Sequence, residues 1–152
     1  MIKQLLRQFV GDPEPAVKQG VSAANLPLCI SVLLVEMAAI DDDFDDGERR
    51  HIIDTLRRRF DLSTTDAQEL LDMATQARDE SSDIWKFTNI INESCSREEK
   101  GQLIEEIWRV VFVDGYLDGH EDNLAHKMGR LLNLTHPEII EAKLRARDAA
   151  GN

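Results

Sequence analysis

Two stretches of this chain place three acids at the same spacing, 73 residues apart, and that repeat restricts the possible folds more than any other feature. The first is Ala38-Ala39-Ile40-Asp41-Asp42-Asp43-Phe44-Asp45-Asp46-Gly47-Glu48. The second is Val111-Phe112-Val113-Asp114-Gly115-Tyr116-Leu117-Asp118-Gly119-His120-Glu121. Each runs from the apolar end of a helix through an Asp, an apolar residue three places on, a second Asp and a closing Glu. Downstream, Asp61-Leu62-Ser63 resembles Asn133-Leu134-Thr135 at an offset of 72. Each acidic stretch follows one of the two most apolar segments and precedes a helical one. The expected fold is therefore all-α, with two related helix–loop–helix halves and the two apolar helices at the centre of one bundle.

The rest of the chain agrees with an all-helical reading. A short amphipathic helix is expected over Ile2 to Val10, followed by a polar connector. Leu26 to Ile40 forms the first long helix. A second has Ile52, Ile53 and Leu56 on its inner face, and a third has Ala67, Leu70, Leu71 and Ala74. A fourth holds Ile84, Trp85, Phe87, Ile90 and Ile91. The fifth, Arg97 to Val113, presents Leu103, Ile107, Val110 and Val111. A sixth covers Gly119 to Leu132 and a seventh Pro137 to about Arg147, for about seven helices in the main domain. The starts carry capping-box pairs: Asp45 with Glu48, Ser63 with Asp66, Ser96 with Glu99, Asp118 with Glu121 and Thr135 with Glu138. In each, the first side chain can accept from an orphan helix N–H while the acid reaches back to the cap. The organisation is residues 1–24 as helix and connector, 25–147 as one domain, and 148–152 as a tail.

Charge narrows the function. With 29 Asp and Glu against 18 Lys and Arg, the net charge is −11. A chain this acidic lacks the basic face that neutralises nucleic-acid phosphates, and it disfavours anionic lipid headgroups. The apolar run at Leu26–Ile40 is shorter than the roughly 20 residues of a membrane span. Two cysteines, with no apolar leader at the N-terminus, point to a reducing cytoplasmic setting.

The acids of the repeat have two explanations. Capping accounts for Asp45, Asp118, Glu48 and Glu121. It accounts worst for Asp41 and Asp114, because a negative charge at a helix C-terminus opposes the dipole. Six acids within positions 41–48 repel one another, and a hard divalent cation such as calcium, magnesium or manganese would relieve that repulsion. Neither loop is an EF-hand: Ile52 and Ala125 stand where the closing glutamate should be. Glu48-Arg49-Arg50-His51 has the Glu-x-x-His spacing of di-iron bundles, but no second copy exists. His120 and His126 do not have zincin spacing and are expected at the surface or in caps. Cys29 reads as a small buried hydrophobe. Cys95, near a helix start, is a candidate for a mildly activated thiol without catalytic companions. Trp85, Phe87, Trp108 and Phe112 read as core aromatics. Arg49, Arg50, Arg57, Arg58 and Arg59 form either a solvated face or a contact for an acidic partner, a second copy of the chain included.

At the repeat the sequence resembles the TerB-like domain of the tellurite-resistance proteins. Asp114-Gly115-Tyr116-Leu117-Asp118-Gly119-His120-Glu121 matches the family's Asp-Gly-x-apolar-acid-x-x-Glu stretch, and the earlier loop matches it with Asp42 in place of the glycine. The resemblance covers roughly residues 25 to 147. It implies an all-helical domain of two pseudo-symmetric halves whose acidic loops meet as a metal site. Carried over residue by residue, the implied ligands are Asp41, Asp45 and Glu48 with Asp114, Asp118 and Glu121. The resemblance further implies a non-enzymatic role in stress response, as a cation sensor or a scaffold. Apart from it, a protein partner is expected, with a homodimer as one form.

Overall fold

The run Leu26–Ala38 is apolar on every side except at Glu36, so as a helix it has almost no face to show to water and belongs at the centre of a fold. The computed structural model, which describes residues 26–40, 46–80, 83–114 and 119–151, places it there. Helix α1 (Leu26–Ala38) has Val32, Leu33, Leu34 and Met37 at zero exposure. It is followed by α2 (Asp46–Phe60), α3 (Thr64–Glu80), α4 (Trp85–Ser94), α5 (Arg97–Val111), a 3-10 turn (Phe112–Asp114), α6 (Gly119–Leu131) and α7 (His136–Gly151). No strand occurs among the described residues. The helix expected over Ile2–Val10 and its connector lie outside them.

Helix α1 packs against α2, α3, α4, α5 and α6, while α5 packs against α1, α2, α6 and α7. The two apolar helices thus form the centre, as the repeat led one to expect. The inner faces are those set by the 3.6-residue period. Ile52 and Leu56 on α2, Ala67, Leu70, Leu71 and Ala74 on α3, and Ile104, Ile107 and Trp108 on α5 are all at zero exposure. Each fully buried large aliphatic side chain contributes about 1.5–3 kcal/mol. Among the described residues, no helix is long and apolar enough to cross a membrane.

Local chemistry fixes the helix ends. Ser96 and Glu99 form a complete capping box on α5, and Thr135 and Glu138 form one on α7. Ser63 accepts from the Asp66 N–H at 3.1 Å. The boxes at Asp45 and Asp118 fall outside the described residues. Asp61 and Asn133, the matched residues after α2 and α6, both take left-handed backbone, with φ of 55° and 63°. In each turn the following leucine donates its N–H back five residues: Leu62 to Arg57 at 3.1 Å, Leu134 to Gly129 at 3.0 Å. This is the Schellman closure, so the same turn recurs in both copies of the motif.

Three details differ from the sequence-based picture. Trp85 is not a core aromatic: it is 55% exposed, because it lies two residues, about 200° of helix, from the inward-facing Phe87. Helix α7 runs past Arg147 to Gly151, carried by Ala149 and Ala150, which favour helix. His126 is not a surface residue; it is half-buried, edge-on to Trp108 at 5.5 Å and stacked on His136 at 5.6 Å.

Candidate functional site

Each acidic loop leaves the bundle from a central helix. After α1 the chain turns through Ala39, whose N–H reaches the Val35 carbonyl at 2.9 Å, and the loop follows. After α5 the chain tightens into the 3-10 turn that ends at Asp114, and the second loop follows. Asp41, Asp45 and Asp118 lie outside the described residues. Asp114 is placed by its backbone, at the end of that turn. Glu48 and Glu121 are the two of the six acids whose side chains are described, each the third residue of its helix.

These two glutamates are buried, each with 4% exposure. The contrast with other helix starts is informative. Glu99, the acid of the α5 capping box, is exposed while its carboxylate accepts from the Ser96 N–H at 2.8 Å. Glu138 bonds the Thr135 N–H at 2.7 Å and still leaves 31% of its side chain in solvent. Capping therefore needs no burial, and the acids of the repeat are turned inward beyond what a cap asks. Taking a carboxylate out of water is costly unless charge or hydrogen bonds compensate it, and both glutamates have such an interaction within the chain. Among the described residues, no three His, Cys, Asp or Glu side chains converge on one point.

The flanks of the two loops meet. Helix α2, which issues from the first loop, packs against the 3-10 turn that opens the second. Gly47 beside the first loop and Val113 beside the second line one cavity of about 480 Å³. Arg50, His51, Arg109, Phe112 and Ala146 share its wall. Burial holds the His51 imidazole below its ordinary pKa, against the opposing pull of Glu106. Its Nε2 is buried without a hydrogen-bond partner among the described residues, as is Nε of Arg109. Arg109 carried no functional expectation from sequence. Its one signal is a charge inside the apolar run Ile107-Trp108-Arg109-Val110-Val111.

The remaining candidates resolve on inspection. Cys29 is 2% exposed, and burial pushes its thiol up to about 12. Cys95 is not activated: burial, then the Glu99 carboxylate, push its thiol above the ordinary range, outweighing Arg59 and Lys100. Much of the arginine run on α2 is engaged within the chain, Arg49 with Asp72 at 3.4 Å, Arg57 with Asp54 at 4.0 Å and Arg58 with Glu106 at 3.7 Å.

Comparison with known proteins returns one kind of match. No curated protein and no solved structure is significantly similar to the chain. The family model described as Tellurite resistance protein TerB matches residues 28–144, a span that takes in both apolar helices and both acidic loops. The chain belongs to the TerB family.

Proposed function

We propose that this TerB domain is a non-enzymatic module that holds a divalent cation between its two acidic loops, acting in the cytoplasm as a stress-related sensor or scaffold. The observation that supports this reading is the inward burial of Glu48 and Glu121, the equivalent closing acids of the repeat. The ligands would be Asp41, Asp45, Glu48, Asp114, Asp118 and Glu121, an all-oxygen set suited to calcium, magnesium or manganese. A cation shared by loops from two central helices would favour one packing of those helices over another, which is how a sensor works.

Thermal unfolding with each metal tests the proposal. A ligand at about a hundred times its Kd stabilises by about 2.7 kcal/mol, roughly 5–10 °C for a chain of this size. Asp41→Asn combined with Asp114→Asn removes the rise. Identical melting curves with and without millimolar calcium, magnesium and manganese would sink the cation reading. The surviving alternative would be a protein-interaction domain whose acids only cap helices. In favour of a partner, the exposed Trp85 offers an apolar contact at the start of α4.

A further inference from the structure

The cavity beside the loops has a composition at odds with the rest of the molecule. The chain carries a net charge of −11, yet this wall presents the cations Arg50 and Arg109 against one described acid, Asp54. Asp54 in turn lies 4.0 Å from Arg57. Arg50 makes no hydrogen bond or ion pair among the described residues. Arg109 gives one terminal nitrogen to Glu105 at 2.8 Å while its side chain stays 31% exposed. The wall is therefore rich in donors and poor in acceptors. Its other part is apolar, made of Phe112, Val113, Ala146 and Ala149. The volume of about 480 Å³ falls within the range of about 300–1,000 Å³ typical of small-molecule pockets.

A ligand that completes this wall brings a planar pair of acceptors and an apolar body. Guanidinium groups match carboxylates in a two-pronged geometry. A bare dianion such as phosphate fits worse, since it leaves the apolar side uncovered. We infer that this cavity binds a small organic monocarboxylate, with its carboxylate on Arg50 and Arg109 and its apolar end against Phe112, Val113 and Ala146. The site needs no cation, so it stands or falls separately from the metal reading.

Hexanoate serves as the probe, titrated into the full chain in metal-free buffer and followed by calorimetry and amide chemical-shift mapping. The expected result is one-site saturable binding with shifts gathered at Gly47, His51 and Val113. Acetate binds more weakly, and hexylammonium does not bind. Arg50→Gln weakens hexanoate about tenfold or more, the loss of one charge-assisted contact. Its melting temperature stays that of the wild type, because Arg50 has no partner to lose among the described residues. The inference is overturned by an absence of saturation, by shifts scattered away from the cavity, by unchanged affinity in Arg50→Gln, or by phosphate binding as well as hexanoate.

Discussion

Trp108 shows how much can rest on one side chain. It has zero exposure, stacks on Phe112 at 6.3 Å, meets His126 edge-on, and carries the Lys143 ammonium 5.0 Å from its ring centroid. The same Lys143 donates to Asp122 at 2.8 Å, so the indole ties α5 to both α6 and α7. Yet the indole Nε1 is buried with no hydrogen-bond partner among the described residues. Size and polarity therefore pull in opposite directions. Trp108→Ala removes the packing and is expected to destabilise by about 3–5 kcal/mol. Trp108→Phe leaves a smaller void and also removes the unsatisfied N–H, which limits its effect to under about 2 kcal/mol. Urea unfolding of both variants measures the difference, and equal losses would mean that the indole N–H is satisfied after all.

At the scale of elements, the starts of α5 and α7 are joined by a single acid. Glu138 closes the α7 capping box and also takes a two-pronged bond from Arg97, the first residue of α5, at 2.6 Å on each oxygen. The Arg97 guanidinium, with the Thr135 N–H, holds its carboxyl down from the ordinary 4.5 to about 2. A depressed carboxylate stabilises the fold fully above its unfolded pKa and loses that contribution as pH falls through its folded one. The melting temperature should thus decline between about pH 4.5 and pH 2 partly through this group. Glu138→Gln should show a shallower decline over that window, and an unchanged slope would show that the clamp adds nothing. Such helix ends were legible in the sequence because capping is local: Ser96–Glu99 and Thr135–Glu138 read the same in one dimension as in three. Trp85 misleads for the converse reason. At the first turn of a helix, which face an aromatic takes is decided by the neighbouring helices. The close approach of α6 and α7 was also hidden. A Cβ on Gly129 would lie 2.5 Å from Ile139, whose burial leaves it no room to move.

At the scale of the whole molecule, the repeat identified the central helices because a segment apolar nearly all round has one place to go. The cavity was not legible, since it requires α2, the 3-10 turn and α7 to meet, and no spacing in the chain encodes that. The same scale separates two effects of ions on this protein. A net charge of −11 destabilises the compact state through self-repulsion, and any salt screens it. Sodium chloride should therefore raise the melting temperature gradually without saturating. A bound divalent cation should add a rise that saturates at matched ionic strength. Asp41→Asn with Asp114→Asn brings the net charge to −9, relieving repulsion where the acids are densest. That double variant should start from a higher melting temperature in metal-free buffer, keep the response to sodium chloride, and lose the saturable part. If wild type and variant instead respond alike to calcium at every matched ionic strength, the acids act through general charge alone and the loops hold no cation.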